Sequence, residues 1–260
     1  VYRETVTKPS ETGIGKSPNK HNSLFFKVEP ISKEMSEAIK SGDIPEGRIK
    51  KKDLVIRDKF VELGMNSKEA LKVKDVYQGN VFVEATRGQV HIGEILEMVL
   101  DMFEDVMRQG GVAREPCFKM KVTMVDCKLH EDAIHRGPAQ LYPAVRNGIR
   151  AAITLGAPLL YEPIQTLLFE SPDEFMGEIS KLISNKRGQL LEMTQEGVRV
   201  LIKGKMPVAE SFGLSNDLRS ATGGRGTSSM VDQTFERMPN ELQEKVIKQI
   251  RDRKGLTEAQ

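Results

Sequence analysis

The sequence predicts an α+β protein of two α/β domains, and three patterns support this prediction. Apolar residues from Ile92 to Val106 recur every three or four positions, which is the period of one helix face. Apolar and polar residues alternate from Phe118 to Met124, as in a strand with one buried face. After a Gly-Ala-Pro break at 156–158 the expected elements follow the order βαββαβ, which is typical of a ferredoxin-like domain.

The first domain is expected to cover residues 1–157. Its helices end at helix-terminating glycines, namely Gly42, Gly64 and the Gly-Gly pair 110–111. Pro143 is compatible with the last helix because it lies in the first turn of that expected element. The expected elements are, in order, strand 1–7, strand 23–28, helix 33–40, helix 57–63, strand 75–86, helix 92–106, strand 118–124 and helix 141–155.

The second domain is expected to cover residues 158–235, followed by a tail at 236–260. The tail should form a helix from Pro239, with Leu242, Val246 and Ile250 on one side. Because an apolar stripe of this kind is stable only when covered, we expect the tail to pack back on the first domain. The expected elements of the second domain are strand 163–170, helix 172–185, strand 189–193, strand 198–206, helix 209–220 and strand 227–235.

Composition excludes several classes of protein. The 39 Lys and Arg nearly balance the 37 Asp and Glu, so the formal net charge of +2 gives no argument for a polyanionic partner. Cys117 and Cys127 are too few for a disulfide framework and lack the spacing of zinc ligands, which favours a reducing, cytoplasmic compartment. No apolar run approaches the roughly 20 residues of a membrane span, and no signal peptide is recognisable. The chain starts at Val1 without an initiator Met, so we expect a piece of a longer polypeptide.

The segment SETGIGKS at 10–17 resembles a phosphate-binding P-loop. However, Ser10 stands where that motif has its first glycine, and Pro18 follows where a helix should begin. A P-loop holds phosphate because a buried strand leads directly into a helix N-terminus. We therefore expect no nucleotide site and no cofactor in this chain.

The segment HEDAIH at 130–135 resembles the zinc-binding motif HExxH. Here the second histidine comes five residues after the first, so on a helix the two imidazoles would point roughly 140° apart. We therefore expect no metal. An enzyme site formed at 126–135 by Asp126, Cys127, His130 and His135 remains an alternative.

Two polar loops carry the most functional information. The loop SPNKHN at 17–22 and the connection between strand 118–124 and helix 141–155 are rich in cationic and hydrogen-bonding groups that a core does not need. Such loops suit contacts with RNA phosphates and base edges, although ordinary solvated loops have the same composition. The residues concerned are Lys16, Asn19, Lys20, His21, Asn22, His130, His135 and Arg136.

Five motifs resemble the elongation factor 2 family, the translocation GTPases of archaea and eukaryotes. The resemblance covers essentially the whole chain, and Pro138 and Ala139 are archaeal in type. It implies the fourth and fifth domains of such a factor, the first resembling a ribosomal-protein domain with a left-handed βαβ crossover. The motifs are SPNKHN at 17–22, DAIHRGPAQ at 132–140, LLYEPIQ at 159–165, SPDEFMGEISKLISNKRGQL at 171–190 and SNDLRSATGGRGTSSMVDQTFERMP at 215–239.

The resemblance also implies roles for particular residues. His135 matches the histidine that diphthamide-synthesis enzymes modify and that diphtheria-type toxins ADP-ribosylate. The tip that contacts RNA would comprise Ser17, Pro18, Asn19, Lys20, His21, Asn22, Asp132 and Arg136. These residues would meet ribosomal RNA and the tRNA–mRNA complex in the decoding region of the ribosome. GTP and Mg²⁺ would bind a domain that precedes Val1, so no catalytic residue is expected here.

A third interpretation concerns the second half of the chain alone. Ferredoxin-like domains host many functions, and one of them is the binding of small regulatory molecules. The sequence offers no motif that favours such a ligand, so this interpretation rests on the predicted fold.

Overall fold

The computed structural model describes residues 1–89 and 91–257. The chain forms two compact units. The larger contains residues 3–160 and the chain from Pro239 onward, and the smaller contains Val1, Tyr2 and residues 161–238. Within the described ranges, none of the helices combines the length and the apolar character that crossing a membrane requires.

The larger unit is built on a six-stranded sheet of order β2-β3-β7-β6-β5-β4. The parallel neighbours β6 and β7 are joined through α4, and the other pairs are antiparallel. The handedness that the resemblance implies for this connection stays a prediction. The strands of this sheet are β2 (Gly13–Lys16), β3 (Ser23–Pro30), β4 (Gly47–Arg48), β5 (Val73–Tyr77), β6 (Asn80–Glu84) and β7 (Met120–Lys128), and β1 (Arg3–Val6) lies outside it. The helices are α1 (Lys33–Ser41), α2 (Leu54–Glu62), α3 (Ser67–Ala70), α4 (Ile92–Gln109) and α5 (Pro138–Leu155).

Helices cover both faces of this sheet. Alternate residues of β6 point to opposite sides, so Phe82 belongs to one core while Val81 and Val83 belong to the other. The first core is formed with α4 and α5 and includes Phe103, which packs on Phe82 with 5.1 Å between ring centroids. The second is formed with α1 and α2 around Phe60. This layering makes the sheet a rigid base for the loops at its ends.

Several predicted elements of the larger unit were wrong in extent. The strand predicted at 75–86 is a hairpin, because Gln78 and Gly79 both have positive φ (48° and 80°) and form a two-residue turn. Helix α5 begins at Pro138 rather than Leu141, so Pro143 lies inside the helix and not in its first turn. Strands β2 and β4 and helix α3 were not predicted at all.

The smaller unit has the ferredoxin-like topology that the sequence predicted. Its strands lie in the order β11-β8-β10-β9 and every neighbouring pair is antiparallel. The two helices pack on one face, where Phe169, Ile183 and Ile202 are buried together. The elements are β8 (Pro158–Pro172), α6 (Met176–Asn185), β9 (Gln189–Glu196), β10 (Arg199–Pro207), α7 (Leu214–Ala221) and β11 (Thr227–Arg237). The predicted α+β class with two domains is confirmed.

The last helix, α8 (Asn240–Arg253), packs on the larger unit. The side-chain amide of Gln243 donates to the carbonyl of Leu160 and accepts from its N–H, both at 2.9 Å. Arg251 donates to the carbonyl of Val112 at 2.7 Å, and Lys254 donates to that of Arg114 at 2.8 Å. The tail is therefore held by polar contacts as well as by its apolar side.

A buried carboxyl fixes the loop that α8 contacts. Glu4 is 1% exposed, and its two oxygens accept hydrogen bonds from the N–H groups of Ala113 (3.0 Å) and Glu115 (2.9 Å). Burial raises the pKa of Glu4 to about 7, although these backbone donors oppose the shift. Burial likewise raises the pKa of Asp75 to about 7.

These shifts predict that the protein loses stability as the pH rises from 5 to 7. An acid whose pKa is raised in the folded state holds its proton more tightly there than in the unfolded chain, so deprotonation favours unfolding. For Glu4 the loss over this interval should be about 2 kcal/mol. Urea denaturation at several pH values measures it, and Glu4→Gln should remove the share due to Glu4. A slope that is equal in both proteins would contradict the assignment.

Candidate functional site

Two loops of the larger unit meet at one end of its sheet. One is the β2–β3 loop at 17–22, and the other is the β7–α5 connection at 129–137. Their histidines form a cluster, in which the ring centroids of His130 and His135 are 4.3 Å apart and His21 lies 5.0 Å from each. The structure thus brings together the two loops that the sequence singled out.

The β2–β3 loop is held by its own hydrogen bonds. The N–H of Lys20 donates to the carbonyl of Ser17 at 2.8 Å, and Lys20 adopts a left-handed conformation with φ 62°. The Ser17 hydroxyl donates to Oδ1 of Asn19 at 2.5 Å and accepts from the N–H of Asn22 at 3.0 Å. This framework leaves Pro18, Lys20 and His21 exposed on the outer side of the loop.

The second loop is organised around Asp132. This residue caps a short 3₁₀ turn, Ala133–Arg136, by accepting from the N–H of Ile134 at 3.1 Å. Its own N–H donates to Nδ1 of His130 at 3.0 Å, which requires the tautomer of His130 protonated at Nε2. Ile134 is 77% exposed and His135 is half-buried, so both side chains reach the surface of the turn.

Amide side chains join the two loops at the carbonyl of His135. That oxygen accepts from Nδ2 of Asn22 at 2.7 Å and from Nδ2 of Asn19 at 3.2 Å. Oδ1 of Asn22 also accepts from the N–H of His130 at 3.0 Å, and the N–H of Asn19 donates to Gln140 at 2.9 Å. The backbone of His135 is therefore fixed while its imidazole remains accessible.

Three of the predicted RNA-contact residues are buried, which corrects the prediction for them. Ser17 is 2% exposed, Asn22 is 1% and Arg136 is 4%. Arg136 donates to the carboxylate of Glu94 at 2.5 Å and to the carbonyl of Glu131 at 2.7 Å. A tight loop must satisfy its buried carbonyl and N–H groups, and these three side chains do so. In this structure they position the tip, and their side chains are covered.

The pairing with Glu94 could not be found from the loop sequence. Hydrogen bonds from His91 and Arg136 hold the pKa of this carboxyl below its usual range. Gln140 and the exposed Ile134 were also missed as parts of the tip, although both lie in the motif DAIHRGPAQ. The surface that remains for a partner is formed by Pro18, Asn19, Lys20, His21, Asp132, Ile134 and His135.

The geometry does not favour the alternative enzyme site at 126–135. Cys127 is fully buried in the core, and burial and the neighbouring Asp126 raise the pKa of its thiol to about 12. A thiol in this state is a poor nucleophile at neutral pH. In residues 1–89 and 91–257, no group of three or more His, Cys, Asp and Glu side chains is arranged to hold a metal ion.

Comparison with known proteins agrees with this architecture. Residues 42–156 match the family model described as Elongation factor G, domain IV, and residues 159–258 match Elongation factor G C-terminus. Elongation factor 2 of Pyrococcus furiosus is 47% identical over 256 residues, which are 98% of this chain and 35% of that protein. The corresponding factor of Methanocaldococcus jannaschii is 48% identical over 257 residues, again 98% and 35%.

The match therefore extends over nearly all of this chain but only about a third of the length of these relatives. Elongation factor 2 of Methanosphaera stadtmanae shows the same relation, with 45% identity over 257 residues, 99% of this chain and 35% of that protein. The domain IV model lies within the larger unit, whereas the C-terminal model covers the smaller unit and continues through α8. The chain belongs to the elongation factor 2 family, within the part of it that corresponds to domain IV and the C-terminal domain.

Proposed function

We propose that this chain is the ribosome-facing part of an archaeal-type cytoplasmic translocation factor. Its tip enters the decoding region behind the moving tRNA–mRNA complex and opposes its return. GTP and Mg²⁺ act in the preceding part of the longer protein, and the hydrolysis there controls the conformation of the factor. The role of this chain is mechanical, so it contributes positioning and RNA contacts rather than catalysis.

The observation that carries this proposal is the rigid tip around His135. Its carbonyl is clamped by two asparagine side chains, and the loop behind it is anchored by the buried Arg136. Helix α5 begins directly after the tip and extends about 27 Å behind it. A tip that is fixed to a long buried helix can transmit force without folding back, which a mobile loop cannot do.

The exposed cations of the tip suit contacts with phosphate. Lys16, Lys20 and Lys128 are all exposed, and Lys20 lies in the turn of the β2–β3 loop. Phosphate contacts of this kind orient a protein on RNA without reading its sequence. Ribosomal RNA is therefore the first partner that we assign to this surface.

Replacing Lys20 with asparagine should weaken binding of the intact factor to ribosomes and lower its salt dependence. Asparagine removes the charge but tolerates the left-handed backbone of this position. Each lost phosphate contact should reduce the slope of log K against log salt by roughly 0.7 to 0.9. The slope is measured by ribosome binding at several potassium concentrations.

A matched control for Lys20→Asn is Lys8→Asn. Lys8 is also exposed, but its N–H hydrogen-bonds to Gly156 at the opposite end of α5 from the tip. The slope of this variant should equal that of the unchanged factor. Equal slopes for all three proteins would exclude Lys20 as an RNA contact.

We further propose that His135 is the diphthamide position and the target of ADP-ribosylating toxins. Its side chain is accessible, while the exposed Asp132 and Ile134 beside it offer a surface that diphthamide-synthesis enzymes can recognise. The clamp on its carbonyl would present the imidazole in one orientation to such enzymes.

Mass spectrometry of protein purified from its native host is expected to show added mass on His135. The peptide 129–136 contains two histidines, and fragmentation should place the modification on His135 and leave His130 unchanged. Protein made in a host without the modifying enzymes is the control, and neither of its two histidines in this peptide should be modified. A native protein with the modification on His130, or without any, would contradict this assignment.

A further inference from the structure

A second feature of the larger unit lies away from the tip. A cavity of about 980 Å³ opens between the end of α4, helix α5 and helix α8. Its wall includes the Gly-Gly pair at 110–111 and four basic side chains, Arg114, Arg150, Arg251 and Lys254. No part of the proposed tip function uses this cavity.

The positive charges that line the cavity are only partly balanced by carboxylate partners. Lys254 pairs with Glu115 at 3.1 Å, whereas Arg114 donates to the neutral carbonyl of Gly111 at 2.6 Å. Nε of Arg150 is buried and has no hydrogen-bond partner among residues 1–89 and 91–257. A buried guanidinium donor without an acceptor is costly unless a ligand supplies one.

The electrostatics of Arg150 indicate the same deficit of negative charge. Burial lowers its pKa to about 10, and repulsion by Arg114 and Arg146 acts in the same direction, while Asp105 opposes it. Burial and repulsion by Arg251 also lower the pKa of Arg114. Glu4 attracts Arg114 and opposes this shift, but its own pKa of about 7 leaves Glu4 only partly charged at neutral pH.

We propose that this cavity binds a phosphate group, with Arg150 and Arg114 as its principal ligands. Guanidinium groups offer paired N–H donors whose spacing matches two oxygens of a phosphate, and phosphate brings the missing negative charge. The phosphate belongs either to an RNA backbone or to a free phosphate compound, since both present the same oxygens. The RNA source rests on the proposed function, whereas the phosphate site itself does not.

The test uses the full chain and pyrophosphate as the probe. Isothermal titration calorimetry is expected to show one saturable site, and the ¹⁵Nε–¹Hε resonance of Arg150 should shift with the same affinity. Arg150→Gln and Arg114→Gln should each weaken binding at least tenfold. Arg219→Gln, an exposed position on α7, is the matched control and should bind as the unchanged chain does.

Circular dichroism melting of each variant shows whether it is folded, so a loss of binding by a folded variant supports the site. Competition with a short RNA hairpin then identifies the source. Displacement of pyrophosphate by RNA assigns the cavity to RNA phosphate, and binding of pyrophosphate that RNA does not displace assigns it to a free phosphate compound. The proposal is overturned if the unchanged chain shows no saturable binding, or if folded Arg150 and Arg114 variants bind as the unchanged chain does. Neither result would alter the expected effect of Lys20→Asn at the tip.

Discussion

Replacing Gly15 with alanine is expected to lower the free energy of unfolding of the larger unit by about 4 kcal/mol or more. A Cβ atom on Gly15 would lie 1.7 Å from the carbonyl oxygen of Ala144 and 2.8 Å from the N–H nitrogen of Gly148. Both atoms belong to the backbone of α5, so no side chain can turn aside to make room. The helix would have to move away from β2, and its buried residues would lose their contacts with the sheet.

The matched control is Gly93→Ala. Gly93 lies in the first turn of α4, and a Cβ atom there would meet no neighbouring group within 4 Å in the part of the chain that the structure describes. Alanine favours helix more than glycine does, so this variant should be unchanged or more stable by up to about 1 kcal/mol. Urea denaturation followed by circular dichroism measures both variants. If Gly15→Ala were as stable as Gly93→Ala, the close approach of β2 to α5 would be wrong.

Gly15 also shows where sequence reasoning reached its limit. The segment at 10–17 resembles a phosphate-binding P-loop, but the sequence argued against a nucleotide site there and assigned no role to its glycines. In the structure these glycines are needed for packing, because Gly13 and Gly15 allow β2 to lie against the small residues of α5. Their partners are more than a hundred positions away in the chain, and no local pattern reveals such a contact.

Local sequence patterns were sufficient to predict elements that are determined within a single segment of the chain. The periodicity of residues 92–106 predicted α4 because one helix face repeats along a single segment. The ferredoxin-like order followed in the same way from a succession of helix and strand patterns. The hairpin at 73–84 was missed because its turn uses Gln78 rather than the usual asparagine or aspartate before glycine.

The same distinction between local and long-range causes applies to the tip. The loops at 17–22 and 129–137 could be singled out from the sequence, because a core has no need for their polar residues. Which side chains face outward could not, since an arginine in a polar loop looks the same whether it meets solvent or a carbonyl. Arg136 turns inward because its acceptors include Glu94, which lies 42 positions earlier and carries no sequence signal.

Because some residues of the tip face inward, the contribution of its internal hydrogen bonds can be tested without changing its exposed surface. Asn22→Asp is expected to lower the local stability of the tip by about 3 kcal/mol. The substitution keeps the size of the side chain and an acceptor for the N–H of His130. It removes the donor to the carbonyl of His135 and places a buried negative oxygen where the 2.7 Å hydrogen bond was.

Amide hydrogen exchange at residues 130–136 measures this loss. The control is Asn216→Asp, at an exposed position in the first turn of α7. This variant should leave the exchange of residues 130–136 unchanged. In the native host, Asn22→Asp should also reduce the fraction of His135 that is modified, because the imidazole is no longer presented in one orientation. Unchanged exchange and unchanged modification would show that the clamp does not position His135.

The pH dependence of Asn22→Asp separates a lost hydrogen bond from general damage. Burial and the facing carbonyl raise the pKa of the introduced carboxyl, because its neutral form can donate an O–H to that carbonyl. The folded tip therefore binds the proton more tightly than the open tip, so the variant should regain stability as the pH falls. A deficit that is constant with pH would indicate that the substitution disturbs the loop for another reason, and the hydrogen bond to His135 would not be its cause.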